Sequence, residues 1–339
     1  MVREVEKIII TGATGHLGSH LLRELYKSGR KKLILLILPQ EAYRISEIKT
    51  LYPDVHCVIG DLCNQESLEN LFRGMKDFSV IHGASLVDIG DERENMLYRI
   101  NVEGTRKLLE LAKRYSARRF LYISSVHAIP SKPNALIHEV HSFSPESVEG
   151  AYAKTKATAS QLVQDAHREG MDTVIVHPSG IVGPEDPCRG HMTELIEGIL
   201  SHKISAIVEG GYDFVDVRDV AKGVVSALDY GLSGETYLLA RKRVSIRDMV
   251  KMIEETTKKK YHLTVIPKWF ILAVLPLVNL YYKWTKRKPL FTKYSLHTLW
   301  DGVRYSHEKA ARELSFRTRN FSETVFDTVQ YLLYKKIKE

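Results

Sequence analysis

The sequence predicts an α/β fold: a doubly wound parallel sheet with a smaller, mostly helical C-terminal lobe. Three observations carry that prediction. Short, nearly continuous apolar runs alternate with amphipathic stretches through the first half of the 339 residues, the pattern of strands covered on both faces by helices. The first run enters a turn with glycines three apart, Gly12, Gly15 and Gly18, and a helix-like pattern follows. Past about Gly183 the alternation loosens through the turn-rich "GPEDPCRGH".

The elements follow in order. "KIIIT" is the first strand; the N-terminal "MVREVEKIII" lacks the layout of a signal peptide and runs straight into the glycine turn. The first helix, through "HLLRELYKSG", stops at Gly29, a residue suited to a left-handed C-cap. "KLILLIL" and "VHCVIG" are the second and third strands, and Asn64 caps the helix "NQESLENLFRGM". "SVIHGAS" is the fourth strand, and Asn101 is expected to begin the long helix "NVEGTRKLLELAKRYS". "RFLYISS", the helix "YAKTKATASQLVQDAHREG" and "DTVIVHPSG" complete a Rossmann-type succession. A further strand is expected at "YDFVDVRDVA". Residues 1–183, with 212–230 returning to them, are read as a dinucleotide-binding domain, and 184–211 with 231–339 as the substrate lobe.

Composition narrows the function. At 44% hydrophobic and 27% charged the chain is an ordinary globular one. Cys57, Cys63 and Cys188 are too few and scattered for a disulfide framework, which fits a reducing, cytoplasmic setting. "HEVH" at His138 to His141 lacks the spacing of a helical zinc pair, so no metal site is expected. The formal charge is +8, and from Arg241 onward 22 basic residues face 9 acidic ones. No nucleic-acid motif accompanies them, so a solvated face or one near anionic lipid is the reading. "WFILAVLPLVNLYYKW", Trp269 to Trp284, is broken by Pro276 and falls short of the about 20 apolar residues of a span. It reads either as a lid over the substrate cavity or, through 269–288, as a peripheral membrane contact.

A glycine turn between strand and helix lets the backbone approach a pyrophosphate, while the helix N-terminus supplies free N–H groups. "GDL" ends the third strand with Asp61, a carboxylate able to accept from an adenine amino group, and "VIHGAS" ends the fourth with small residues. At the tip of the second strand, "LILPQEAYR" offers Glu41 and Arg44, which point to NAD and NADP respectively; the choice stays open. "YAKTK" sets Tyr152 and Lys156 at i and i+4 on one helix face, and Ser124 and Ser125 end the fifth strand. A tyrosine whose high pKa is lowered by a neighbouring ammonium can exchange a proton with a carbonyl oxygen while a serine holds that oxygen.

These pieces together resemble the extended short-chain dehydrogenase/reductases, the NAD-dependent epimerase/dehydratase family. The matching segments are "TGATGHLG", "GDL", "VIHGAS", "NVEGT", "YISSVHAIP", "YAKTK", "HPSGIVGP" and "FVDVRDVA", from Thr11 to Ala221. The resemblance implies an NAD(P)(H) cofactor held by Gly12, Thr14, Gly15, His16, Leu17 and Gly18 at the pyrophosphate. Asp61 and Leu62 would lie at the adenine, with Gly83, Ala84, Ser85, Asn101, Pro178 and Ser179 along the rest of the cofactor. It implies Ser125, Tyr152 and Lys156 as the catalytic set, with Lys156 also on the nicotinamide ribose. Within the family the segments look most like dihydroflavonol reductases and 3β-hydroxysteroid dehydrogenases. "HPSGIVGP" stands where sugar epimerases carry an Arg-Pro and a tyrosine. The expected activity is therefore hydride transfer to or from an apolar ketone, aldehyde or secondary alcohol. A nucleotide-sugar epimerase or dehydratase is the alternative, with Arg189 as a diphosphate candidate, and an NAD(P)-sensing binding module is a third reading. A homodimer through the helices of "NVEGTRKLL" and "YAKTKATAS" is expected by family analogy.

Overall fold

The computed structural model describes residues 6–88, 93–274 and 293–338. Strands β1 (Lys7–Thr11), β2 (Leu33–Ile37), β3 (His56–Ile59) and β4 (Phe78–His82) alternate with helices α1 (His16–Lys27), α2 (Ile45–Leu51) and α3 (Gln65–Phe72). A helical run follows through α4 (Glu94–Tyr98) and α5 (Gly104–Arg114), then β5 (Arg119–Ile123), β6 (Leu136–Ile137), α6 (Ala151–Arg168) and β7 (Thr173–Pro178). The chain continues with β8 (Gly180–Val182), α7 (His191–Leu200), β9 (Ala206–Val208), β10 (Gly211–Asp216), α8 (Val217–Tyr230) and β11 (Thr236–Leu239). Strand β12 (Lys242–Ser245), α9 (Ile246–Thr257), β13 (Thr264–Ile266) and β14 (Arg304–Tyr305) lie in the C-terminal part, which ends in the helix Phe321–Lys338.

The main sheet has seven strands in the order β11-β7-β5-β4-β1-β2-β3. All its pairings are parallel. The order reverses beside β1, the point at which open α/β sheets take their ligands, at the carboxyl ends of the strands. Strand alternation divides the apolar side chains into two cores. Ile9, Ile34, Leu36 and Val80 point to α3, α5 and α6, whereas Ile8, Ile10, Leu33, Leu35 and Ile81 point to α1 and α8. Each of these side chains, fully buried, contributes about 1.5–3 kcal/mol.

The first helix ends as expected: Gly29 has φ 82°, and Arg30 N–H closes back on Leu25 O at 3.1 Å. Asn64 caps α3 by accepting from Ser67 N–H at 3.0 Å.

Three boundaries differ from the sequence reading. Asn101 does not begin a helix; the helical run starts at Glu94, and Asn101 sits in a wide π-type turn, Arg99–Glu103, between α4 and α5. The strand expected over "YDFVDVRDVA" ends at Asp216, whose side chain caps α8 by accepting from Arg218 N–H at 2.8 Å. Thr236–Leu239, assigned to the substrate lobe, instead pairs with β7 as the seventh strand of the main sheet. All four of its side chains are buried, the Tyr237 hydroxyl donating to Glu313 Oε2 at 3.1 Å, so the edge of β7 is covered rather than left open.

A third core joins Val182, Ile196, Phe214, Val244, Ile253, Phe321 and Val325. It unites the small sheet β12-β10-β8 with α7, α9 and the C-terminal helix. This lobe stands over the carboxyl ends of β5 and β7, because β8 follows β7 after one residue. Among the described residues no helix is long and apolar enough to cross a membrane.

Candidate active site

The glycine turn is built around two close approaches and one opening. Gly12 has φ 77°, and a Cβ there would lie 2.7 Å from Ala84 N. A Cβ on Gly18 would lie 1.9 Å from Gly12 O. Gly15 differs: its φ is −74°, and a Cβ would meet only Gly12 O at 3.4 Å. Gly15 is the N-cap of α1, no side chain caps that end, and the first turn has no acidic residue. The turn therefore presents an open face with uncapped N–H groups, a fit for a pyrophosphate.

The second strand's tip grips this turn. Thr14 Oγ1 donates to Glu41 Oε2 at 2.7 Å, and Arg44 Nη1 donates to Thr14 O at 2.5 Å. Glu41 and Arg44 thus both bond Thr14, one through its hydroxyl and the other through its carbonyl. His16 and His20 both reach Pro184 O at 3.1 Å and tie α1 to the start of the lobe. Leu17 packs partly buried on the α1 side of the sheet.

Under the turn lies a buried polar chain. Thr105 Oγ1 donates to Asn101 O at 2.6 Å, so His82 Nε2–H donates to Thr105 Oγ1 at 2.9 Å. His82 Nδ1 then accepts from Thr11 Oγ1 at 2.7 Å, and Thr11 Oγ1 accepts from Ala84 N–H at 3.2 Å. Burial lowers the His82 pKa to about 3, so the ring is neutral and the chain keeps one direction. It fixes Gly83 and Ala84 against Gly12.

Asn101 holds the next residues. Its Oδ1 accepts from Leu86 N–H at 2.8 Å and Ser85 Oγ at 3.1 Å. Its Nδ2 donates to Leu86 O at 2.9 Å and Thr155 Oγ1 at 3.2 Å. The wide turn at 99–103 thus places one amide between the tail of β4 and α6. Asp61 Oδ1 accepts from Cys63 N–H at 2.8 Å. The Leu62 side chain is 4% exposed and packs under Gly104, so it turns its side chain to the core.

The two serines separate cleanly. Ser124 Oγ bonds Ser160 Oγ at 2.7 Å inside the core. Ser125 Oγ accepts from His127 N–H at 3.3 Å and stands close enough to the Tyr152 hydroxyl to act on its pKa. Tyr152 enters α6 one residue after its start, because Gly150 at φ 86° turns the chain into the helix. Lys156, 2% exposed, donates to Ile123 O at 2.9 Å and Tyr122 Oη at 3.2 Å. Ser179 Oγ donates to Asp213 Oδ1 at 2.8 Å, and its N–H donates to Leu239 O at 3.2 Å, just after Pro178 ends β7.

The expected lowering of the Tyr152 pKa is not found. Burial raises it to about 12, against a smaller lowering by Ser125. Burial likewise lowers Lys156 to about 7. The ammonium is turned to Ile123 O and Tyr122, not to the Tyr152 hydroxyl, so desolvation outweighs charge attraction at both groups.

Two site residues carried no role in the sequence reading. The His127 ring stacks on Tyr212 at 5.8 Å and 9°, and its edge meets the Tyr152 ring at 6.2 Å. His127 Nε2 and Tyr212 Oη are 3.1 Å apart. Burial lowers the His127 pKa to about 4, so a neutral ring flanks the tyrosine. Position two residues after Ser125, in a tight turn, was the available signal for His127; Tyr212 comes from β10, far along the chain.

Among the described residues no three His, Cys, Asp or Glu side chains converge as metal ligands. His141 bonds Glu235 at 2.9 Å instead.

A glycine turn at a sheet crossover, with Ser125, Tyr152 and Lys156 at the carboxyl edge, is the arrangement expected of a nicotinamide-dependent oxidoreductase. The family model for the NAD dependent epimerase/dehydratase family matches residues 8–240, and the chain belongs to that family, the extended short-chain dehydrogenase/reductases. It is 30% identical over 310 residues to sterol demethylase protein B of Methylococcus capsulatus, spanning 90% of this chain and 92% of that protein. It is 25% identical to UDP-glucose 4-epimerase 2 of Oryza sativa subsp. japonica, spanning 78% and 72% of the two. The crystal structure of gox2253 superposes with a TM-score of 0.83 at 27% identity, covering 97% of this chain and 98% of that one. The protein is an NAD(P)-dependent oxidoreductase of this family.

Proposed function

We propose that Tyr152 is the acid–base for hydride transfer at a CH–OH or C=O carbon, with Ser125 holding the reacting oxygen. The single observation that carries this reading is Tyr152 placed beside Ser125, with the buried Lys156 one turn further along the same helix. When bound, NAD(P) supplies the hydride acceptor or donor. In the oxidising direction Tyr152 takes the hydroxyl proton as the carbinol C–H leaves as hydride; in the reducing direction it returns a proton to the carbonyl oxygen. Lys156, one turn along the helix from Tyr152, would hold the nicotinamide ribose. Gly12, Thr14, Gly15, His16, Leu17 and Gly18 would hold the pyrophosphate, and Asp61 and Leu62 would flank the adenine. Gly83, Ala84, Ser85, Asn101, Pro178 and Ser179 line the remainder.

Two substrate readings have support. The nucleotide-sugar reading draws on the family's own description and on the plant UDP-glucose 4-epimerase, and more of the matched proteins lie on that side. In it the hydride returns to the substrate and no net cofactor change occurs. The apolar ketone or alcohol reading draws on the stacked His127 and Tyr212 rings, the first of which meets Tyr152. It draws also on the relative named for sterol demethylation. Dihydroflavonol-like and 3β-hydroxysteroid-like chemistry falls under this second reading. The cytoplasm is the proposed location, and a homodimer through α5 and α6 the proposed assembly.

The test follows cofactor absorbance with NADH and NADPH against steroid, flavonoid and simple carbonyls, alongside product analysis with UDP- and GDP-sugars. Tyr152→Phe runs in parallel. Turnover in either arm that the variant abolishes supports the acid–base role, and the arm that responds selects the substrate class. Equal turnover by the variant would sink it. Tight cofactor binding with silence in both arms turns the reading to an NAD(P)-sensing module.

A further inference from the structure

We propose that the turn at 268–274 docks the protein onto an anionic lipid surface. The inference stands apart from either substrate reading. Residues 268–274 are helical, directly after β13. On this turn Ile271 faces inward, 7% exposed, against Val208 and Leu296. Trp269, Phe270 and Leu272 face outward at 70%, 44% and 49% exposure, and Ala273 is exposed beside them. Trp269, Leu272 and Ala273 have the i, i+3, i+4 spacing of one helix face, and that face is apolar and turned to water. The Trp269 and Phe270 rings meet edge to face at 5.7 Å, so they project as one unit. A projecting cluster of large apolar groups marks an interaction surface, and a tryptophan among them suits the headgroup level of a bilayer.

Charge selects the occupant. From Thr256 to Trp300 the sequence has nine Lys or Arg and no Asp or Glu. That stretch carries +9 while the whole chain carries +8, so the remaining residues are close to neutral. Lys268 lies at the start of the apolar turn, with its ammonium 4.9 Å from the Trp300 ring centroid. A second copy would bring the same positive stretch and repel. An anionic bilayer attracts the lysines and accepts projecting rings without needing a groove of matching shape.

The experiment uses the full chain saturated with NAD, mixed with vesicles of phosphatidylcholine alone or of phosphatidylcholine with phosphatidylglycerol. Co-sedimentation is read at low and high salt. The expected result is binding to the anionic vesicles that weakens with salt, and a loss of at least about tenfold in Trp269→Ser/Leu272→Ser. Both substituted residues are exposed, so thermal unfolding and NAD affinity of the variant are expected to stay at the wild-type values. Should the double variant lose its fold, Trp269→Ser alone, with brominated lipid as the fluorescence quencher, reads the same contact. Three results would overturn the proposal. One is a wild type that ignores the anionic vesicles, and another is a double variant that binds them as well as the wild type. The third is a wild-type dimer in sedimentation that the double variant abolishes, which would assign the face to a second copy.

Discussion

Alanine at Gly15 and at Gly18 should part binding from stability. The methyl of Gly15→Ala would sit 3.4 Å from Gly12 O, an ordinary contact, on a backbone with φ −74° and ψ 176° that alanine adopts freely. Stability should therefore change by less than about 1 kcal/mol, in the stabilising direction, because the unfolded chain loses freedom. The same methyl fills the open face of the turn. Displacing a phosphate from one charge-assisted N–H contact there costs about 1.5–3 kcal/mol, or roughly 10- to 100-fold in NAD(P) affinity. Gly18→Ala is the opposite case. Its methyl would stand 1.9 Å from Gly12 O and 2.7 Å from Ala13 Cα, so the turn and α1 must separate, at about 1–3 kcal/mol or more. Thermal unfolding without cofactor, followed by NAD titration, reads both quantities. A stable Gly15→Ala protein with wild-type cofactor affinity would refute the placement of the pyrophosphate on this face.

Further outcomes follow from the same contacts. Tyr152→Phe should lose about 10²–10⁴ in kcat with cofactor affinity intact; retention of rate removes the tyrosine from the proton path. Asn101→Ala strips Leu86 N–H and C=O of their partners and should cost about 2 kcal/mol in urea unfolding; a change near zero would mean that water replaces the amide. For Lys156 the folded pKa, about 7, lies below the usual lysine value, so the unfolded chain holds more protons between pH 7 and the normal lysine range. Stability from this group therefore rises as pH rises through that window, and the full penalty is present below it. Wild-type stability measured at pH 7 and pH 9 should gain on Lys156→Met, and parallel pH curves would contradict the burial argument.

Much of the fold was legible because buried strands and amphipathic helices leave different periods in the sequence. Gly29 and Asn64 were legible because turn and cap chemistry is local. The failures share a cause: each depends on a partner distant in the chain. Thr236–Leu239 reads as a short apolar run, and only the open edge of β7 makes it part of the main sheet. Asn101 looks like a helix start, yet its amide is held between Leu86 and Thr155, which forces the wide turn. Tyr152 and Lys156 were legible as an i, i+4 pair, but the direction of the ammonium is set by Ile123 O and Tyr122, and burial sets both pKa shifts. Ser125 could be separated from Ser124 only through the family resemblance; in three dimensions Ser160 takes one hydroxyl and Tyr152 meets the other.

The late arrival of β11 bears on how the chain folds as it leaves the ribosome. Six strands of the main sheet are complete once Pro178 has been made, but the seventh ends at Leu239. Ala310, Leu314 and Phe316 then pack into the same core as Ile8 and Ile10. Segments about 300 residues apart therefore meet in one core, and the α1 and α8 side of the sheet stays incomplete until Phe316 has been released. Until then the nascent protein carries an unpaired parallel edge at β7 and uncovered apolar surface, the features that recruit chaperones. Strain-free truncation at the end of the dinucleotide-binding segment is thus closed to this protein, and a chain stopped at Gly183 should aggregate rather than bind NAD.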